Sequence, residues 1–126
     1  MILEFFAVGI GGFIGANARW GLSMLCNTLS LPLPLGTLLA NLIAGFSIGL
    51  FVALEPGTGF SKETRLFVTT GLLGGLSTFS TFSLETVQLF RQEQYLWGSW
   101  NVILNLSLSL LAVLAGMLLG KLLKKA

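Results

Sequence analysis

Gly71-Leu72-Leu73-Gly74-Gly75-Leu76-Ser77-Thr78-Phe79-Ser80-Thr81-Phe82-Ser83-Leu84-Glu85 is the stretch on which the fold of this chain turns. It lies inside an apolar run from about 62 to 90. Two adjacent glycines in such a run weaken a helix by about 1 kcal/mol each. Five hydroxyls then fall within the seven residues 77–83. The run is longer than one straight bilayer crossing requires, which leaves room for a non-helical break near 74–78. Irregular backbone at membrane depth persists only where protein or an ion satisfies its carbonyls. The alternative is a continuous helix whose hydroxyls bond back to its own carbonyls and bend it slightly.

Working outward, three more apolar segments appear, at about 2–24, 35–54 and 95–123. A hydrocarbon core of roughly 30 Å needs about 20 helical residues, and each segment is long enough. The connectors carry helix-stopping chemistry: Ser30-Leu31-Pro32-Leu33-Pro34, Pro56-Gly57-Thr58-Gly59 and Arg91-Gln92-Glu93-Gln94. Tyr95, Trp97 and Trp100 suit an interfacial aromatic belt. Barrel strands would alternate polar and apolar residues, and these segments do not. The expected fold is therefore an all-α integral membrane protein with four transmembrane helices, the third broken near its middle, in one domain over 1–126. Composition agrees: 54% of residues are hydrophobic and 10% charged, against about 25% charged in soluble domains. The start, Met1-Ile2-Leu3-Glu4, lacks the basic region of a signal peptide and reads as part of a retained span.

Composition also narrows the chemistry. The chain has no His and no Asp, and Cys26 is its one cysteine. A Ser–His nucleophile cannot be built, and a thiolate metal site is disfavoured. Glu4, Glu55, Glu63, Glu85 and Glu93 are widely spread. An enzyme is not expected. The net charge of +2 comes mainly from Lys121, Lys124 and Lys125, which suit lipid headgroups better than nucleic acid.

Polar groups within a span are costly and need a reason. Asn41 sits mid-span and offers two amide hydrogens, either to a neighbouring helix or to a ligand. Asn101, Asn105 and Ser109 recur every fourth residue on one helical face, as the wall of a wet path or as helix–helix bonds; Ser107 falls off that face. Arg19 either snorkels to the interface or stands at a vestibule and concentrates anions. Glu85 either bonds the broken segment or carries a proton. Phe79 and Phe82 sit among the hydroxyls, where ring edges of positive quadrupole could approach a small anion, or where the rings simply pack. Neutral donors, no acidic ring and an Arg select anions over cations. Four helices enclose a pore poorly, so the path is expected at an oligomer interface. Gly11/Gly15, Gly45/Gly49, Gly71/Gly75 and Gly116/Gly120 have the small-xxx-small spacing of close helix contacts. Loop charges alone would put both termini in the cytoplasm.

The chain resembles the Fluc (CrcB) fluoride channel family. The matching motifs are Gly11-Gly12-Phe13-Ile14-Gly15 leading to Arg19, then Gly36-Thr37-Leu38-Leu39-Ala40-Asn41, then the 71–85 stretch quoted above. The resemblance implies a fluoride-selective channel that exports fluoride passively and electrogenically, in the inner (plasma) membrane of a bacterium. It implies an antiparallel, dual-topology homodimer with two pores. Phe79, Phe82 and Asn41 would meet the ion, Ser80, Thr81, Asn105 and Ser109 would continue a polar track, and Arg19 would stand at the vestibule. Backbone carbonyls of Gly74 and Ser77 from both subunits would hold a structural Na⁺. The sequence departs from the pattern at Asn101, where several relatives carry Tyr.

Two other classes compete. Small multidrug exporters are also four-span, but they exchange protons through a carboxylate deep in the first span; here Glu4 sits at its edge and Arg19 has the opposite sign. A structural membrane subunit without transport is the second. Cation-driven proton exchange would favour the former, and inert liposomes the latter.

Overall fold

The computed structural model describes residues 1–126 and is all helical. Helix α1 runs over Ile2–Cys26 and α2 over Leu35–Leu54. Helix α3, Lys62–Leu66, continues into a π-helical stretch, Phe67–Leu73, and then into the short α4, Gly74–Leu76. Three non-helical residues separate α4 from α5, Ser80–Arg91. Helix α6, Tyr95–Lys125, completes the chain. By length and composition α1, α2 and α6 could each cross a membrane.

Local chemistry explains the helix ends. Pro34 directly precedes α2, and its ring fixes a φ of −75° at the entry. Ser61 caps α3, its Oγ accepting the Thr64 N–H at 3.2 Å. The turn after α2 places Gly57 and Gly59 at φ +89° and +73°, backbone that other residues adopt at a cost. Both α1 and α6 extend two residues beyond the lengths expected at their C-termini. At about 1.5 Å per residue, the 31 residues of α6 reach about 46 Å, well past a hydrocarbon core of roughly 30 Å.

Packing rests on two glycine contacts. A Cβ on Gly11 would lie 2.6 Å from the Phe67 carbonyl oxygen, and one on Gly15 would run into the Leu72 carbonyl. From the other side, a Cβ on Gly71 would lie 2.8 Å from the Val8 carbonyl oxygen and one on Gly75 2.9 Å from that of Gly12. Gly11/Gly15 of α1 thus interlock with Gly71/Gly75. A Cβ on Gly45 or Gly49 of α2 would meet the Ser109 or Val113 carbonyl of α6, and one on Gly116 or Gly120 of α6 would meet the Phe46 or Leu50 carbonyl of α2, so each doublet seats the backbone of the facing helix. Without side chains between them, backbones approach closely enough for dispersion to hold them in an apolar solvent.

Three contacts gather one end of the bundle. Lys62 pairs with Glu4 at 3.3 Å, Arg65 pairs with Glu55, and Lys124 Nζ donates to the Pro56 carbonyl. Each is partly exposed and worth at most about 1 kcal/mol, but together they place both termini beside the 55–62 connector. The outside is apolar: Phe5 is 71% exposed, Phe13 72% and Leu110 68%. Water would penalise such a surface, and lipid would not.

Candidate functional site

The helix that begins at Lys62 stops at Leu76, two residues after the first of the paired glycines. Gly74 and Gly75 are still helical; Gly75 serves the close contact with α1 instead. Ser77 is the first extended residue, at φ −79°, ψ 157°. The non-helical residues are therefore 77–79, at the C-terminal edge of the expected 74–78.

Side chains take over the bonds that the interrupted helix gives up. In a continuous helix the Thr78 amide would serve the Gly74 carbonyl; here it donates to Asn41 Oδ1 at 2.8 Å. The Thr81 amide would serve Ser77; here it donates to Thr78 Oγ1 at 3.1 Å and starts α5. The Gly75 carbonyl would take the Phe79 amide; it accepts Arg19 Nε at 3.3 Å. Other hydroxyls do bond back along the helix, as the alternative reading expected. Ser77 Oγ donates to the Leu73 carbonyl, Ser83 Oγ to Phe79 and Thr86 Oγ1 to Phe82, at 3.1, 2.9 and 2.8 Å.

Beside the interruption lies an open groove of about 390 Å³ between α2, the 69–82 segment and α6. Its walls include Asn41, Asn105, Ser109, Gly74, Ser77, Phe79 and Phe82. Phe82 is buried and Phe79 is 72% exposed. Their centroids are 5.4 Å apart at an interplanar angle of 62°, an edge-on arrangement. Beyond Thr69 and Thr78, the rest of the wall is largely aliphatic, with Ile48, Leu73, Leu106, Leu110 and Val113. Such a groove holds few polar groups, each in a poorly screened setting.

Four predicted residues stand elsewhere. Ser80 and Thr81 open α5 outside the groove wall, with Ser80 Oγ 3.4 Å from Thr78 Oγ1. Arg19 is half-buried on the α1 side and braces the Gly75 carbonyl. It neither snorkels freely nor lines the groove. Asn101 is fully buried rather than on the wall; its Nδ2 donates to Thr86 Oγ1 at 2.8 Å. Asn105 Nδ2 donates to the Asn101 carbonyl and to Asn101 Oδ1, at 2.9 and 3.0 Å. Asn105 Oδ1 accepts from Asn41 Nδ2 at 3.0 Å.

Thr78, Thr86 and Thr37 were not singled out in sequence. Thr78 was one hydroxyl among five, and its part depends on a backbone amide that no pattern reveals. Thr86 looks like an ordinary helical threonine. Thr37 is 1% exposed, and neither its Oγ1 nor the buried Oε1 of Glu85 has a hydrogen-bond partner in the protein. The π-helical turns carried no sequence signal either.

A family described as CrcB-like protein, Camphor Resistance (CrcB), matches residues 6–117. The chain is 46% identical over 118 residues to the fluoride-specific ion channel FluC of Pseudomonas putida (strain W619), covering 93% of each. It is 44% identical over 120 residues to the FluC protein of Serratia proteamaculans (strain 568), covering 94% of each. It is 44% identical over 117 residues to that of Ruminiclostridium cellulolyticum, covering 91% of this chain and 90% of the relative.

Proposed function

The chain belongs to the CrcB-like family, and from that membership we propose that it is a fluoride-selective ion channel, not an enzyme, that lets fluoride leave the cell passively. The structural observation that carries the reading is the groove, in which an edge-on Phe79–Phe82 pair lies beside the amides of Asn41 and Asn105. Fluoride stripped of water needs donors or positive ring edges, and an aliphatic wall gives other anions nothing in exchange for their hydration. Asn41 Nδ2 approaches the Thr78 carbonyl at only 3.3 Å. That hydrogen can turn to an ion at little cost. Ser109 extends the polar line along α6, and Ser80 and Thr81 extend it at the head of α5. Arg19 adds positive charge near the interruption.

In this reading Lys62–Arg91 forms one interrupted crossing, the third of four, and 1–126 is a single membrane domain. The open side of the groove is closed by a second copy of the chain. The two copies lie antiparallel, with opposite orientations in the inner membrane. The carbonyls of Gly74 and Ser77, whose helical amide donors are turned to Asn41 and Thr78, are hard oxygen donors that suit a sodium ion. Two from each copy would hold it and stiffen the interruption. The negative-inside potential drives fluoride outward, and dissociation of hydrogen fluoride that has entered supplies it. The test is purified protein in liposomes, with fluoride release read by an ion-selective electrode. Rapid release without matching chloride release is expected, and equal rates for the two anions would overturn the reading.

A further inference from the structure

Three asparagine side chains form a hydrogen-bonded series between two backbone groups that flank the phenylalanine pair. Thr78 N–H donates to Asn41 Oδ1. Asn41 Nδ2 donates to Asn105 Oδ1, and Asn105 Nδ2 to Asn101 Oδ1. Asn101 Nδ2 donates to Thr86 Oγ1, whose own hydrogen goes to the Phe82 carbonyl. The first member is an amide that can only donate, and the last is a carbonyl that can only accept. The Thr86 hydroxyl has one hydrogen, used on Phe82, so it must accept from Asn101. That fixes the Asn101 amide, which fixes Asn105, which fixes Asn41. The far half of the series is closed to solvent: Asn101 is 0% exposed, Asn105 3% and Thr86 8%. Hydrogen bonds in such a setting polarise one another and resist rearrangement.

We propose that Asn101 and Thr86 are positioning residues for Phe82. The backbone from Thr78 to Phe82 carries both rings, and the series ties its two ends together through α2 and α6. Segment and series together form a closed ring. It sets the rotation of α5 about its axis and hence the angle at which Phe82 meets Phe79. This assignment rests on the channel reading above, in which that angle determines how the ring edges present themselves to the ion.

The test uses the full chain in liposomes. Thr86→Val keeps the shape and deletes the hydroxyl; fluoride flux is expected to fall at least tenfold. Thr86→Ser retains the hydroxyl and is expected to stay within a few-fold of the parent. Asn101→Leu with Thr86→Val replaces both partners by apolar groups of similar shape, a change that leaves no buried group unpaired at that pair. Asn105 keeps the Asn101 backbone carbonyl as acceptor. The double variant is therefore expected to recover the parent's thermal stability in detergent while its flux stays at least tenfold low. If Thr86→Val alone does not fold, the double variant carries the test. Flux that returns with stability in the double variant would show that the pair only supports the fold. Thr86→Ser as impaired as Thr86→Val would point to the methyl group instead. A parent that passes no fluoride would remove the channel reading itself, a result distinct from either.

Discussion

Asn41 and Thr78 are joined at two points: Asn41 Oδ1 accepts the Thr78 N–H at 2.8 Å, and Asn41 Nδ2 lies 3.3 Å from the Thr78 carbonyl. A side-chain amide thus takes the place of a peptide unit at the point where the helix gives out. The same residue faces the groove. In the proposed channel, structure and transport therefore meet on one carboxamide, and substitutions can separate them.

Asn41→Ala removes donor and acceptor together. The Thr78 amide loses its partner, which costs about 1–3 kcal/mol where water cannot reach it. Asn41→Asp keeps an oxygen for that amide but offers no hydrogens and places negative charge beside the path. Flux is expected to fall by orders of magnitude in both, with the Ala variant melting at the lower temperature. Unchanged flux in either folded variant would mean that Asn41 only braces the interruption.

Phe79→Ile and Phe82→Ile distinguish packing from ion contact. Volume-conserving apolar swaps usually cost under about 1.5 kcal/mol, and the fold should survive them. An aliphatic side chain has no positive rim, so a dehydrated ion would lose several kcal/mol of compensation. At about tenfold in rate per 1.4 kcal/mol, flux should nearly vanish in each. Met, polarizable and flexible, should restore part of it. Liposome flux within a few-fold of the parent in both Ile variants would return the rings to a packing role.

Gly116→Ala and Gly15→Ala drive a methyl into the carbonyls of Phe46 and Leu72. Backbone cannot yield as a side-chain tip can, and such overpacking costs about 1–3 kcal/mol. Gly21 has open space around it. Gly21→Ala should be neutral or, through helix propensity, up to about 1 kcal/mol stabilising. Thermal melts in detergent decide the matter; equal effects at all three positions would contradict the interlocked contact.

A cysteine added at the C-terminus, with Cys26 replaced, probes orientation. Two opposed orientations in equal number would leave half the chains open to an impermeant thiol reagent on intact cells. All-or-none labelling would establish a single orientation.

Much of this was legible because lipid makes periodicity and cost conspicuous. The helical ends of α2 follow directly from Pro34 and from Glu55-Pro56-Gly57. The four glycine doublets announced close contacts, though spacing did not say which helix each doublet meets. The partner roles of Arg19 and Asn101 were hidden for a different reason. Each depends on a group far away in the chain, a carbonyl at Gly75 and a hydroxyl at Thr86. Sequence displays the price of burying a polar group more readily than it displays the group that compensates. The double glycine misled slightly for the same reason: its use is the contact with α1, and the helix yields only where Asn41 can receive Thr78.

The two glycine contacts also govern how the chain comes to exist. Neither joins neighbours in sequence. Gly11 and Gly15 wait for Gly71 and Gly75; Gly45 and Gly49 wait for the backbone of Ser109 and Val113. During synthesis the first helix enters the bilayer with its notched face bare until residues near 71 follow it. The second stays unmatched until the chain is almost finished. A product truncated before Ser109 would leave that notch without the backbone that fills it, open within the lipid.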